Sequence, residues 1–179
     1  HGLINGNLKI LTHLAVGNTI HIGGTFLKTA RSDEFKTAKG RQKAFENLKN
    51  KNIEGLIVLG GDGSLTGATI FKKEFNFPII GLPCTIDNDI YGTDFSIGFA
   101  TARETIVSSI DKIRDTASSH DRIFVIEVMG RNSGSLAIEA GISSGAEMIL
   151  VPEINLNIDE VIKNLKKICK KKKSVIIVY

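Results

Sequence analysis

The sequence predicts an α/β fold of doubly wound, mostly parallel sheets with helices on both faces. Two observations predict it. Short apolar runs of strand length alternate with longer runs whose apolar residues recur every three or four positions. Strands joined through helices make βαβ units, and these build parallel sheets. In addition, three successive apolar runs each end in a loop of glycine with charged or hydroxyl residues, where such sheets collect ligands.

The elements follow in order. Arg41 to Asn50 carries Ala44, Phe45 and Leu48 at helical spacing. Gly55 to Leu59 reads as a buried strand that runs into Gly60-Gly61-Asp62-Gly63-Ser64, and a short helix continues through Phe71. Pro78 to Leu82 is the next strand, turning at Pro83. A long helix is predicted over Ser96 to Thr116, with Phe99, Arg103, Ile106, Ile110 and Ile113 on one face. Arg122 to Val128 is a third buried strand, Ser133 to Ser144 a helix rich in Gly and Ser, and Glu147 to Val151 a fourth strand. Ile158 to Lys170 is a further helix, and the last strand starts near Ser174. His1 at the start and an apolar strand at the end suggest an internal fragment.

Composition excludes several classes. With 179 residues, 42% hydrophobic and 23% charged, the chain is ordinary for a globular domain or two small lobes, not for a disordered, collagenous or coiled-coil protein. No apolar run approaches the roughly 20 residues that span a bilayer. Two cysteines, Cys84 and Cys169, cannot make a disulfide framework, which suggests a reducing compartment. Seven of the 23 basic residues lie between Lys163 and Lys173; the remaining 16 face 19 acidic residues, so the net charge of +4 is local. No aromatic residues interleave with these lysines to stack bases. They read as the solvated face and C-terminal turn of a helix rather than as a nucleic-acid patch.

The loops after the strands carry the chemistry. In Gly60-Gly61-Asp62-Gly63-Ser64, glycines would let backbone N–H groups and a helix N-terminus face a phosphate, with Asp62 holding Mg²⁺ against phosphate oxygens. The alternative is a tight turn with Ser64 as helix cap. Neither a Walker A pattern nor a dinucleotide GxGxxG is present. In Thr85-Ile86-Asp87-Asn88-Asp89, a carboxylate could accept the proton of an attacking hydroxyl and a second could orient the first; an Asx-rich turn is the alternative. In Met129-Gly130-Arg131, a guanidinium could stabilise a transferring phosphoryl group, or make a structural salt bridge. Arg31 is a second candidate clamp. Cys84 has no adjacent His and reads as a packing residue, and His1, His13, His21 and His120 lack metal spacing. The residues together read as phosphoryl transfer to an alcohol.

These segments resemble the 6-phosphofructokinase family in its ATP-dependent bacterial form. The resemblance is carried by Gly23-Gly24-Thr25-Phe26-Leu27 with Ala30-Arg31, Gly60-Gly61-Asp62-Gly63-Ser64, Pro83-Cys84-Thr85-Ile86-Asp87-Asn88-Asp89, Ser119-His120-Asp121-Arg122 and Glu127-Val128-Met129-Gly130-Arg131, in the family's order. It implies transfer of the ATP γ-phosphate to the 1-hydroxyl of fructose 6-phosphate, a glycolytic step in the cytoplasm. Asp87 would be the general base, supported by Asp89, with Thr85 and Arg131 on the phosphoryl group and sugar. Asp62 would serve Mg²⁺. Arg31, Ser32, Gly61, Asp62, Gly63 and Ser64 would bind ATP. Met129 and Gly130 would line the sugar site, and Arg122 would reach the sugar phosphate of a neighbouring subunit in a homotetramer. Arg114, Gly145 and Glu147 match an effector site. Residues 1–98 would form part of a nucleotide-binding lobe and 99–179 part of a sugar-phosphate lobe, with an upstream glycine-rich loop and a downstream half missing.

Gly63 and Cys84 bear on the phosphoryl donor. Pyrophosphate-dependent members carry Asp and Lys at these positions, so the resemblance favours ATP, although Cys84 departs from the usual Gly. A pyrophosphate-dependent enzyme and a non-catalytic regulatory subunit of the same fold are the alternatives; the latter predicts loss of Asp62, Asp87 or Arg131, all of which are present.

Overall fold

A computed structural model describes all 179 residues. The chain divides into two compact units. One comprises His1–Val58 with Gly63–Leu82, the other Leu59–Asp62 with Pro83–Tyr179. Residues 83–98 thus pack with the second unit, whereas the lobes implied by the resemblance divide by ligand at residue 98.

The first unit holds α1 (Asp33–Lys36), α2 (Ala38–Asn50) and most of β1 (Leu56–Gly60), α3 (Asp62–Phe75) and β2 (Ile79–Pro83). Its core is aromatic. Phe71 and Phe77 are buried with Ile4, Ala44 and Leu48, and Phe35, Phe45 and Phe75 pack around them. Phe45 stacks on Phe75 with ring centroids 4.4 Å apart. Helix α2 starts three residues before the apolar periodicity shows, because Thr37 caps it: its hydroxyl accepts the Gly40 N–H at 3.0 Å. Helix α1, not foreseen from sequence, sits directly on this corner. A Cβ on Gly40 would lie 2.0 Å from the Glu34 carbonyl oxygen.

Arg41 secures the same corner. It is only 8% exposed. Its guanidinium donates to both carboxylate oxygens of Glu74, each at 2.6 Å, and to the carbonyls of Phe35 and Lys36 at 3.1 and 2.6 Å. The guanidinium's hydrogen bonds, opposed by burial and aided by its charge, hold the Glu74 carboxyl below its ordinary value.

Strands β1 and β2 pair. Leu56 N–H donates to Pro78 at 3.0 Å and Cys84 N–H to Gly60 at 2.9 Å, so partner numbers rise together and the pair is parallel. Gly55–Leu59 reads as a fully buried strand, but β1 is covered on one side only: Ile57 and Leu59 are 64% and 60% exposed.

The second unit contains α4 (Phe99–Ser119), β3 (Ile123–Ile126), α5 (Ser135–Ser143), β4 (Met148–Ile149), α6 (Ile158–Cys169) and β5 (Val175–Val178). Its sheet has the order β3-β5-β4, all parallel, with Ile123 opposite Val175 and Met148 opposite Ile177. The last strand in sequence is the central one, and its four residues are buried. Ile176 and Val178 pack on Ile110 of α4 and Ala137 of α5. Helix α4 begins at Phe99 rather than Ser96, because Gly98 takes a left-handed φ of 100°.

Two outcomes test this packing. Gly40→Ala should destabilise the chain by about 1–3 kcal/mol in urea unfolding, since α1 must move off α2. Because the folded Glu74 value is depressed, the pair's contribution is present above the unfolded value and lost as pH falls through the folded one. Glu74→Gln should therefore flatten the acid side of the stability curve below about pH 4.5; equal acid slopes for both proteins would count against the pair.

Candidate active site

Two loops of the second unit carry most of the predicted catalytic residues. The first follows β2. Thr85 to Asn88 are half-buried there, and Asp89 is exposed. The Asp87 N–H donates to the Thr85 hydroxyl at 3.2 Å. Asn88 has a left-handed φ of 50°, and its side chain accepts the Ser96 N–H at 2.8 Å and donates to the Asp94 carbonyl at 3.1 Å. The buried Ser96 hydroxyl donates to the Thr85 carbonyl. The Asx-turn reading is thus realised, and the turn fixes the loop while leaving the Asp87 carboxylate unbonded to it.

The second loop follows β3. Gly130 has φ 124°, and a Cβ there would lie 2.4 Å from the Ser133 carbonyl oxygen. This turn, closed by Ser133 N–H to the Gly130 carbonyl at 2.8 Å, presents Met129 and Arg131, both exposed. Ser133 joins the two loops: its hydroxyl donates to the Asp87 carbonyl at 2.9 Å.

Electrostatics follow from this closeness. Burial pushes the Asp87 carboxyl above its ordinary value, the Asp89 charge adds to that, and Arg131 opposes it. The structure thus gives Arg131 a partner in charge, but no salt bridge within 4 Å.

Gly61 and Asp62 also belong to the second unit. A Cβ on Gly61 would come within 3.3 Å of Thr85, so the glycine brings the end of β1 against that loop. Helix α3 begins at Asp62, so Ser64 lies inside the first turn and is not its cap, a correction to one reading of the loop. A Cβ on Gly63 would meet nothing within 4 Å. Packing alone does not demand glycine there. No group of three His, Cys, Asp or Glu side chains could hold a metal. Asp62, a single exposed carboxylate, suits the mode in which Mg²⁺ takes one carboxylate plus ligand phosphates.

In the first unit, Arg31 is exposed and its carbonyl lies 3.0 Å from His1 Nε2. The Ser32 hydroxyl is buried without a hydrogen-bond partner. Cys84 is half-buried, and its N–H is spent on Gly60.

The predicted effector residues also meet. Arg114 donates to the carbonyls of Ser144 and Gly145 at 2.6 and 3.0 Å and lies 3.6 Å from Glu147. Glu147 accepts from Lys172 and from the Ile176 N–H, each at 2.8 Å. Burial alone would raise its carboxyl, but these bonds and the two cations together hold it below the ordinary value. Lys172 is exposed, as a solvated face requires, but its bond to Glu147 was not legible in the sequence, nor were the loop contacts of Ser96 and Ser133. Arg122 is exposed, its N–H and carbonyl used by Ala117 and Val175.

Comparison with known proteins places the chain in a family. The family profile described as phosphofructokinase matches residues 1–179. The chain is 56% identical to the ATP-dependent 6-phosphofructokinase of Natranaerobius thermophilus, over 99% of this chain and 56% of that protein. Against the Bacillus subtilis enzyme of that name it is 55% identical, with the same coverage. The chain thus spans about half the length of the curated relatives it matches. Among solved structures, the phosphofructokinase of Saccharomyces cerevisiae superposes with a TM-score of 0.91 at 38% identity, covering 99% of this chain and 28% of that one. A pyrophosphate-dependent phosphofructokinase from Marinobacter aquaeolei shares the fold, with a TM-score of 0.79 at 24% identity, over 93% of this chain and 45% of that one.

Gly130→Ala checks the second loop. The added Cβ is incompatible with both the φ and the Ser133 carbonyl, so a loss of about 1–3 kcal/mol is expected. The Ser133 amide should lose hydrogen-exchange protection; unchanged protection would show that the turn does not need glycine.

Proposed function

Because the chain belongs to the phosphofructokinase family, we propose that it acts as an ATP-dependent 6-phosphofructokinase, transferring the ATP γ-phosphoryl group to the 1-hydroxyl of fructose 6-phosphate in glycolysis. The observation that carries this reading is the pairing of the Asp87 loop with the Arg131 loop, within one unit.

Asp87 accepts the proton of the sugar hydroxyl as the oxygen attacks phosphorus. Burial and the Asp89 charge raise its proton affinity, which improves it as a base, and Arg131 opposes that rise. Arg131 neutralises charge on the transferring group, and Thr85 helps it hold that group and the sugar. Met129 and Gly130 line the sugar. Gly61, Gly63 and Ser64 lie along the nucleotide, with Arg31 and Ser32 as further contacts. Asp62 would hold Mg²⁺, which when bound supplies charge neutralisation on the phosphates. The open space at Gly63 and a small, uncharged Cys84 favour ATP as donor over pyrophosphate.

Residues 1–98 then contribute to a nucleotide lobe and 99–179 to a sugar-phosphate lobe. The same reading takes the protein as a cytoplasmic homotetramer in which Arg122 reaches a neighbour's substrate. Arg114, Gly145 and Glu147 bind an effector.

In the full-length protein, Asp87→Ser should lower kcat by about 10³-fold or more with sugar binding mostly retained. A merely tenfold loss would remove Asp87 from the role. Turnover with pyrophosphate instead of ATP would reassign the donor. The acid limb of kcat/KM should report Asp87. Asp89→Asn removes a cause that raises its value and should move that limb to lower pH, whereas Arg131→Gln should move it to higher pH. Movement in the opposite directions would mean another group titrates.

A further inference from the structure

We propose that Ser133 is a positioning residue for the reaction, its hydroxyl holding the Asp87 backbone in register with the Arg131 loop. This rests on the phosphofructokinase reading. Of the side-chain hydrogen bonds, the one from Ser133 Oγ to the Asp87 carbonyl joins the loop after β2 to the loop after β3, across 46 residues.

Ser133 is itself fixed from several sides. Its N–H donates to the Gly130 carbonyl at 2.8 Å. Its hydroxyl also lies 3.0 Å from the Ser135 hydroxyl, in the first turn of α5. The next residue has no freedom either: the Gly134 N–H donates to Glu153 at 2.8 Å, and a Cβ on Gly134 would come within 2.6 Å of Val151. The hydroxyl is therefore a rigid point on the arginine loop. It meets Asp87 on the carbonyl side, while the Thr85 hydroxyl receives its N–H on the other. The peptide carrying the base is held at both ends, one of them by the loop that carries the opposing cation.

A base and a clamp must agree in position to a fraction of an ångström, and small misplacements cost large factors in rate. Loss of the bond leaves the Asp87 carbonyl to water and frees the two loops to move apart. The expected effect falls on the chemical step rather than on substrate affinity.

The test uses the full-length protein. Ser133→Ala should lower kcat about five- to thirtyfold, in line with one hydrogen bond plus lost alignment. KM for each substrate should stay within about twofold of wild type. The melting temperature should hardly change. Ser133→Thr, which keeps the hydroxyl, should restore most of the rate, and Ser135→Ala, which leaves the bond to Asp87 in place, should cost less than Ser133→Ala. Independently of turnover, deuterium uptake over residues 84–90 should rise in Ser133→Ala, and more than in Ser135→Ala. Unchanged kcat and uptake in Ser133→Ala would overturn the proposal, as would equal losses in kcat, KM and melting temperature, which mark general destabilisation. If the wild-type protein failed to phosphorylate fructose 6-phosphate with ATP, the functional reading would fall, while the exchange comparison would still decide whether Ser133 orders the Asp87 loop.

Discussion

The candidate site depends on a carboxylate whose side chain is left free because its backbone is not. The stretch from Thr85 to Asp89 has no regular secondary structure. Side chains replace the ladder a strand would supply: the hydroxyls of Thr85, Ser96 and Ser133 and the amide of Asn88 take up the loop's peptide groups. A half-buried, hydrogen-bonded loop loses little entropy on binding a ligand, since that cost was met on folding. Burial of the unbonded Asp87 carboxylate, with the Asp89 charge beside it, raises its proton affinity, the property the proposed general base would use.

The first unit solves a different problem, bringing a short helix against a longer one where no side chain fits. Gly40 removes the obstacle, and Arg41, one position on, satisfies the carbonyls that close the turn. A nearly buried guanidinium is tolerable because Glu74 answers it with both oxygens. The segment held in this way runs on from Arg31 and Ser32. Its position therefore rests on packing at α2 and α3 and on the bonds that Arg41 and Lys43 make to it.

Much of this was legible in the sequence, and the failures have physical reasons. The alternation of apolar runs located every strand and each helix except α1, which at four residues is shorter than a helical period can reveal. Boundaries slipped where caps overrode periodicity, at Thr37 and at Gly98. The strand-end loops named Asp87 and Arg131 because parallel sheets collect ligands at the carboxyl ends of their strands. Ser96, Ser133 and Lys172 were invisible, since their importance lies in partners 11, 46 and 25 residues away. No local pattern encodes such a distance. The run of lysines is solvated as it reads, yet one of them also bonds a half-buried carboxylate.

Burial was the least legible property. Gly55–Leu59 is apolar on both faces, as a strand enclosed in a sheet should be, yet Ile57 and Leu59 lie bare, as do Ile123 and Val125 in β3. Strand sequences adapt to the surroundings of the whole protein, and the matched relatives are nearly twice this chain's length. β5 behaves differently because its neighbours on both edges and the helices above it are all present in the chain, so its four apolar residues are buried as their pattern demands. An apolar pattern therefore states what a strand requires, and whether the requirement is met depends on elements that pack against it from elsewhere in the fold.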